Sequence, residues 1–238
     1  MLKFLEEEIT RFNSLYKNKY FIVPNFIPIF WFCNVEKYFC SQSKIITVSL
    51  NPLDIEFKIK DSDEPSTKFR FPNYDGSIKT FYIAYNNYFI KNLYPKWFNT
   101  SFRDVLKSFN ASYYEEEGFP NIALHTYIAC PYATNPTWSG LVNDVKADLE
   151  NMGIKTWHKL VSTLEPDLIL FSSSIDFEKK IQKINLENKV APLLESKVKV
   201  SENKEAVVIF RIKGRTLFSR IKKEQKLKLK KYVYENST

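Results

Sequence analysis

Glycine is scarce in this chain, 5 residues in 238, and none of the five sits in a Gly-rich loop. That argues against the Walker phosphate loop and the dinucleotide fingerprint, which need several glycines so that backbone amides can approach phosphates closely. Histidine is scarcer still. His125 and His158 stand in separate elements, which disfavours a His-based metal centre and any Ser-His-Asp or Cys-His hydrolase. The three cysteines, Cys33, Cys40 and Cys130, contain no Cys-x-x-Cys pair and cannot build a four-thiolate site. Their odd number fits a reducing compartment. The greasiest stretch, residues 20–33, is broken by Pro24, Asn25 and Pro28 and is too short to span a bilayer, and no signal peptide precedes it. These absences predict a cytoplasmic protein with no cofactor, no metal and no membrane partner.

Positive charge and aromatic rings are what the chain has in excess. Lys and Arg number 35 against 27 Asp and Glu, for a net charge of +8, and 20 Phe and 14 Tyr bring the aromatic share to 16%. The charge favours a polyanionic partner. A hydrophobic fraction of 44% and a length of 238 residues suit one large domain with a full core.

Periodicity divides the chain into alternating elements. Residues 2–17 predict an amphipathic helix leading into the aromatic stretch, and Lys44–Leu50 a buried strand that runs into Asn51-Pro52. Residues 58–79 read as a long loop carrying Phe69-Arg-Phe-Pro-Asn-Tyr74. Helices are predicted at about 80–93, 101–109, 139–151 and 154–164, with a short one at 175–184. Further strands are predicted at 121–130, 167–173 and 206–212, and a basic helix at about 216–234 closes the chain. Strand–helix–strand order with nearly continuous apolar strands predicts an α/β fold. Its expected form is a three-layer α/β/α sandwich with a central, mainly parallel four-stranded sheet, in one domain over 1–238. Residues 1–43 would cap it, and 216–238 would form the basic C-terminal helix.

The order of several short motifs resembles the uracil-DNA glycosylase superfamily across about residues 41–220. The motifs are Thr47-Val-Ser-Leu-Asn-Pro52, Phe69-Arg-Phe71, Trp97–Leu106, Ala123–Thr134 and Pro166–Phe171. None is specific alone; their order and spacing carry the likeness. The resemblance implies a DNA glycosylase that hydrolyses the N-glycosidic bond of a flipped-out base in double-stranded DNA, acting as a monomer. Asn51 falls on the position that orients the hydrolytic water. Phe71, less so Phe69, falls where an aromatic stacks on the base, and His125 and Thr126 fall where the second strand meets the base edge. The loop Lys213-Gly-Arg-Thr-Leu-Phe218 falls where the superfamily enters the DNA groove. Leu53 replaces the tyrosine that blocks C5 substituents, and no base-reading asparagine or His-Pro-Ser loop is present. The implied substrate is therefore a 5-substituted pyrimidine rather than uracil. The chain is also similar to anti-phage glycosylases acting on glucosylated hydroxymethylcytosine, which implies antiviral defence.

The residues also have their own chemistry. Breaking the glycosidic bond needs a water beneath C1′ and stabilisation of charge on the departing base. The Asn51 amide can orient water, and Asp54 can act as general base or hold the cationic sugar. Equally, Asn51-Pro52 can end a strand while Asp54 caps a helix. Phe71 and Tyr74 can sandwich a base or pack on the core. Arg220 to Lys231 holds seven basic residues against Glu224 alone. Of these Arg220, Lys222 and Lys223, with Lys213 and Arg215 before them, are the expected phosphate contacts. Two rival expectations remain: a non-catalytic nucleic-acid-binding module on the same fold, and an interaction protein docking through aromatic residues 20–40.

Overall fold

The computed structural model describes residues 1–24, 26–53, 71, 73–92, 102–172, 189–190, 193–211, 218 and 221–236. The chain forms two compact units: Met1–Phe32 with Ser49–Asn92 and Thr126–Thr163, and Cys33–Val48 with Leu93–His125 and Leu164–Thr238.

In the first unit, α1 (Leu2–Tyr16) buries Leu5, Ile9, Phe12 and Tyr16, one apolar stripe at spacings of three and four. The stripe also holds Glu8, whose carboxylate accepts from Thr156 at 2.9 Å and pairs with Lys159 at 2.9 Å and with Arg11. The following aromatic segment is core rather than a docking surface. Phe21, Ile22, Val23, Phe26, Ile27, Ile29 and Phe30 are all buried, while Tyr20 alone among its large side chains is exposed. It ends in β1 (Trp31–Phe32), next to the second half of β5 (Leu124–Tyr127). Helix α3 (Ile78–Asn86) starts at Ser77, whose hydroxyl accepts from the Thr80 amide at 3.2 Å, and α4 (Tyr88–Lys91) follows. Residues 139–164, expected as two helices, contain a single one, α6 (Asn143–Leu164). Gly153 lies inside it because an added Cβ would stand 2.0 Å from the Ala129 carbonyl oxygen.

In the second unit, α2 (Val35–Cys40) is capped by Asn34, whose side chain accepts from the Glu36 and Lys37 amides at 3.1 Å each. It leads to β2 (Ile45–Ser49). Helix α5 (Arg103–Ser108) precedes β3 (Ala111–Ser112), which pairs in parallel with β4 (Asn121–Ile122). The main sheet is six-stranded, mixed and mostly parallel, in the order β5-β2-β6-β9-β8-β7. Here β6 is Leu168–Phe171, β7 Lys189–Val190, β8 Leu193–Ser201 and β9 Lys204–Arg211. Strands β2, β6 and β9 run parallel, and β8 runs antiparallel to β9 with Ser201 opposite Lys204. The chain ends in α7 (Lys223–Asn236).

The α/β class and the expected strands near 44–50, 121–130, 167–173 and 206–212 are present; the count of four strands is not. Strand β8 occupies what reads as a lysine-rich connection. Its Lys197-Val-Lys-Val200 alternation buries Val198 and Val200 and leaves Lys199 in water, the pattern of a half-covered strand. The helix expected at 175–184 lies outside the described residues. No helix among the described residues is long and apolar enough to cross a membrane.

Candidate functional site

The polar end of β2 is built by pairing that continues past the strand. The Ile128 amide donates to the Ser49 carbonyl at 3.0 Å, and the Ala129 amide to the Leu50 carbonyl at 2.9 Å. Asn51, two residues beyond the strand, is 9% exposed. Its Nδ2 donates to the Tyr132 carbonyl and to Thr134 Oγ1, both at 3.4 Å. A carbonyl only accepts, so the amide nitrogen must face it, and Oδ1 is left as the acceptor directed elsewhere. No described residue donates to that Oδ1. Tyr132 is itself fixed, its hydroxyl donating to Asn13 Oδ1 on α1 at 2.7 Å. Two residues before Asn51, Ser49 is 6% exposed, and its Oγ has no hydrogen-bond partner among the described residues. Leu53 is partly exposed. Asp54 and Phe69 lie outside the described residues, as do Lys213, Arg215 and Arg220.

Phe71 and Tyr74 share a shallow cleft with Asn73, Thr80, Asn87 and Lys91. Phe71 is 2% exposed and belongs to an aromatic cluster, stacked on Phe32 at 6.3 Å and tilted against Tyr88 at 5.8 Å. Packing therefore already claims most of the ring that the resemblance sets against a base. Tyr74 is more open, its ring edge-on to Phe81 at 4.5 Å. Burial, followed by the neighbouring Asp75 carboxylate, pushes its hydroxyl up to about 12, so it is a neutral donor at physiological pH. Asp75 itself is held down at about 2 by the Thr80 hydroxyl and the Ser77 amide at the start of α3.

His125 and Thr126 do not share a surface. Successive strand residues point to opposite faces, and each is fully buried in its own unit. In the second unit, His125 Nδ1 stands 2.8 Å from Thr47 Oγ1, which also meets the Tyr113 hydroxyl at 2.5 Å and the Leu124 carbonyl at 3.3 Å. The Phe102 ring lies 5.7 Å from the imidazole. Burial drives the imidazole well below its usual range, so it is neutral at physiological pH. In the first unit, Thr126 Oγ1 accepts from Trp157 Nε1 at 3.1 Å.

Lys222 and Lys223 are exposed at the start of α7, as a phosphate contact requires. Several later lysines of the helix are paired instead: Lys226 with Asp104 at 3.8 Å, Lys228 with Glu224 at 3.3 Å and Lys231 with Glu235 at 3.8 Å. Among the described residues, no group of three His, Cys, Asp or Glu side chains could hold a metal ion.

Sequence reading missed Ser49, Tyr132 and Thr134. Only Ser49 carried a signal: Thr47, Ser49 and Asn51 are polar at every second position of an otherwise apolar segment. Comparison with known protein families, with curated proteins and with solved structures finds no match for the chain.

Proposed function

We propose that this chain is a monofunctional DNA glycosylase that removes a flipped-out, 5-substituted pyrimidine from double-stranded DNA on a three-layer α/β/α fold. The glucosylated hydroxymethylcytosine of phage DNA fits the class, in an antiviral role. One observation carries the reading: the Asn51 amide nitrogen faces the Tyr132 carbonyl and Thr134 Oγ1, each at a long 3.4 Å, which leaves Oδ1 as an acceptor turned away from them. A water donating one O–H to Oδ1 would be held with a lone pair free to attack C1′. The water oxygen bonds to C1′ while the electron pair of the C1′–N bond leaves with the base. The proton released by the water ends on that base, giving a free base and an abasic sugar. An amide orients the water without ionising it, so the barrier falls through positioning. Leu53, with no ring to crowd C5, leaves room for a substituent.

The experiment is base release from DNAs carrying different cytosine and thymine modifications, read as alkali-labile sites. Asn51→Ala should slow release about 100-fold or more, the scale of losing one preorganised polar group. Absence of abasic product from every modified or deaminated substrate would sink the proposal.

A second reading, a non-catalytic nucleic-acid-binding module, is favoured by the deep burial of Phe71 and His125, two residues the catalytic reading sets on the base. It predicts salt-sensitive DNA binding that Asn51→Ala leaves unchanged, with no base released.

A further inference from the structure

We infer that Ser49 holds the same water as Asn51 and that the two residues together form the water site. The inference rests on the glycosylase reading for the use of that water, but not for its existence. A hydroxyl taken out of solvent and left without a partner costs free energy, so native structures rarely keep one unless a water, ligand or functional role answers it. Ser49 Oγ is such a group: the residue is 6% exposed, and no described residue bonds the hydroxyl.

Its place in the chain says what answers it. Asn51 lies two residues beyond Ser49, where the chain bends after the end of β2, and this segment is held to Ile128 and Ala129 through the Ser49 and Leu50 carbonyls. Two residues apart, their Cα atoms lie within about 7 Å of each other whatever the bend. One water can bridge them where the two side-chain oxygens lean to within about 5.5 Å, the reach of two ordinary hydrogen bonds. Asn51 cannot turn its amide to satisfy the serine directly, because its nitrogen is committed to Tyr132 and Thr134. Oδ1 and Ser49 Oγ are then two acceptors open to one water, each taking one of its hydrogens. With both hydrogens fixed, the lone pairs point away from the two side-chain oxygens. Asn51 alone fixes one hydrogen and leaves the water free to swing about it; Ser49 removes that freedom.

The test uses the full chain and the variants Ser49→Ala and Ser49→Thr. The expected result for Ser49→Ala is a loss in kcat for base release of about 100-fold, with KM and DNA affinity unchanged. Its melting temperature should change little, since the variant removes one hydroxyl together with the water that answers it. Ser49→Thr, which keeps the oxygen, should restore most of the rate. A crystal structure of the wild-type chain should show a water within hydrogen-bond distance of both Ser49 Oγ and Asn51 Oδ1, and that of Ser49→Ala should not hold it. An unchanged kcat in Ser49→Ala overturns the inference and leaves the glycosylase reading standing. If the wild-type chain releases no base from any DNA, the glycosylase reading fails. The crystallographic water then decides alone, its presence supporting the shared site and its absence overturning it.

Discussion

Glu117 is a carboxylate held ionised by its neighbours. It accepts from Ser112 Oγ at 2.5 Å and from Arg103 Nε at 2.9 Å, and Lys107 stands 3.4 Å away. Burial raises its pKa, but the Ser112 hydroxyl and the Arg103 guanidinium outweigh that and bring it below the ordinary value of 4.5. A folded pKa below the unfolded one means stabilisation that is complete above the unfolded value and fades as pH falls through the folded one. Glu117→Gln should therefore cost about 1.5 kcal/mol at pH 7, the low end for charge-assisted hydrogen bonds because Arg103 and Lys107 are partly solvated. The difference should vanish in acid. Urea unfolding of both proteins at stepped pH checks this; a penalty independent of pH would refute it. At this scale the sequence was partly legible. Asn51 stood out because an amide after an apolar strand is unusual. Its anchors did not, since Tyr132 and Thr134 are distant in sequence and one of them acts through its backbone carbonyl.

Helix α6 shows what periodicity misses. Met152-Gly153 interrupts the apolar pattern and reads as a break between two helices, because glycine costs a helix interior about 1 kcal/mol relative to alanine. The structure keeps the helix continuous and uses the glycine for contact: its backbone lies on the Ile128 and Ala129 carbonyls, where a methyl would stand 2.7 and 2.0 Å from the oxygens. The contact decides the sign of a substitution. Gly153→Ala gains helix propensity, yet it must push a helix off backbone that cannot yield cheaply, an overpacking cost of about 1–3 kcal/mol or more. The melting temperature should fall, and a rise would show that the helix slides freely. Because Ala129 is the paired neighbour of Leu50, the same variant should slow base release more than it weakens DNA binding. Strand β8 was illegible for another reason: its lysines look like a solvated connection until Val198 and Val200 are seen to share one buried face.

For the whole molecule, the excess of positive charge predicts DNA binding that weakens steeply with salt. Each phosphate neutralised adds about −0.9 to the slope of log affinity against log salt. The double variant Lys222→Ala, Lys223→Ala should lower affinity across sequences and make that slope shallower by about 2. Fluorescence anisotropy between 50 and 200 mM salt, on the order of the range where such contacts are resolved, measures it; an unchanged slope would place the phosphates elsewhere. The α/β class was legible because β2, β6 and β9 are short apolar runs separated by helical patterns, and the polar end of β2 at Asn51 was legible with it. The burial of His125, Thr126 and Phe71 was not, because aromatic and polar residues serve packing as readily as recognition. The burial of His125 reaches further than the site. An imidazole that stays neutral is silent to acidity across the range in which cells vary, so it adds nothing to the attraction between this chain and a polyanion as pH moves. On the glycosylase reading, ionic strength then sets how long the molecule would stay on DNA, with no contribution from His125.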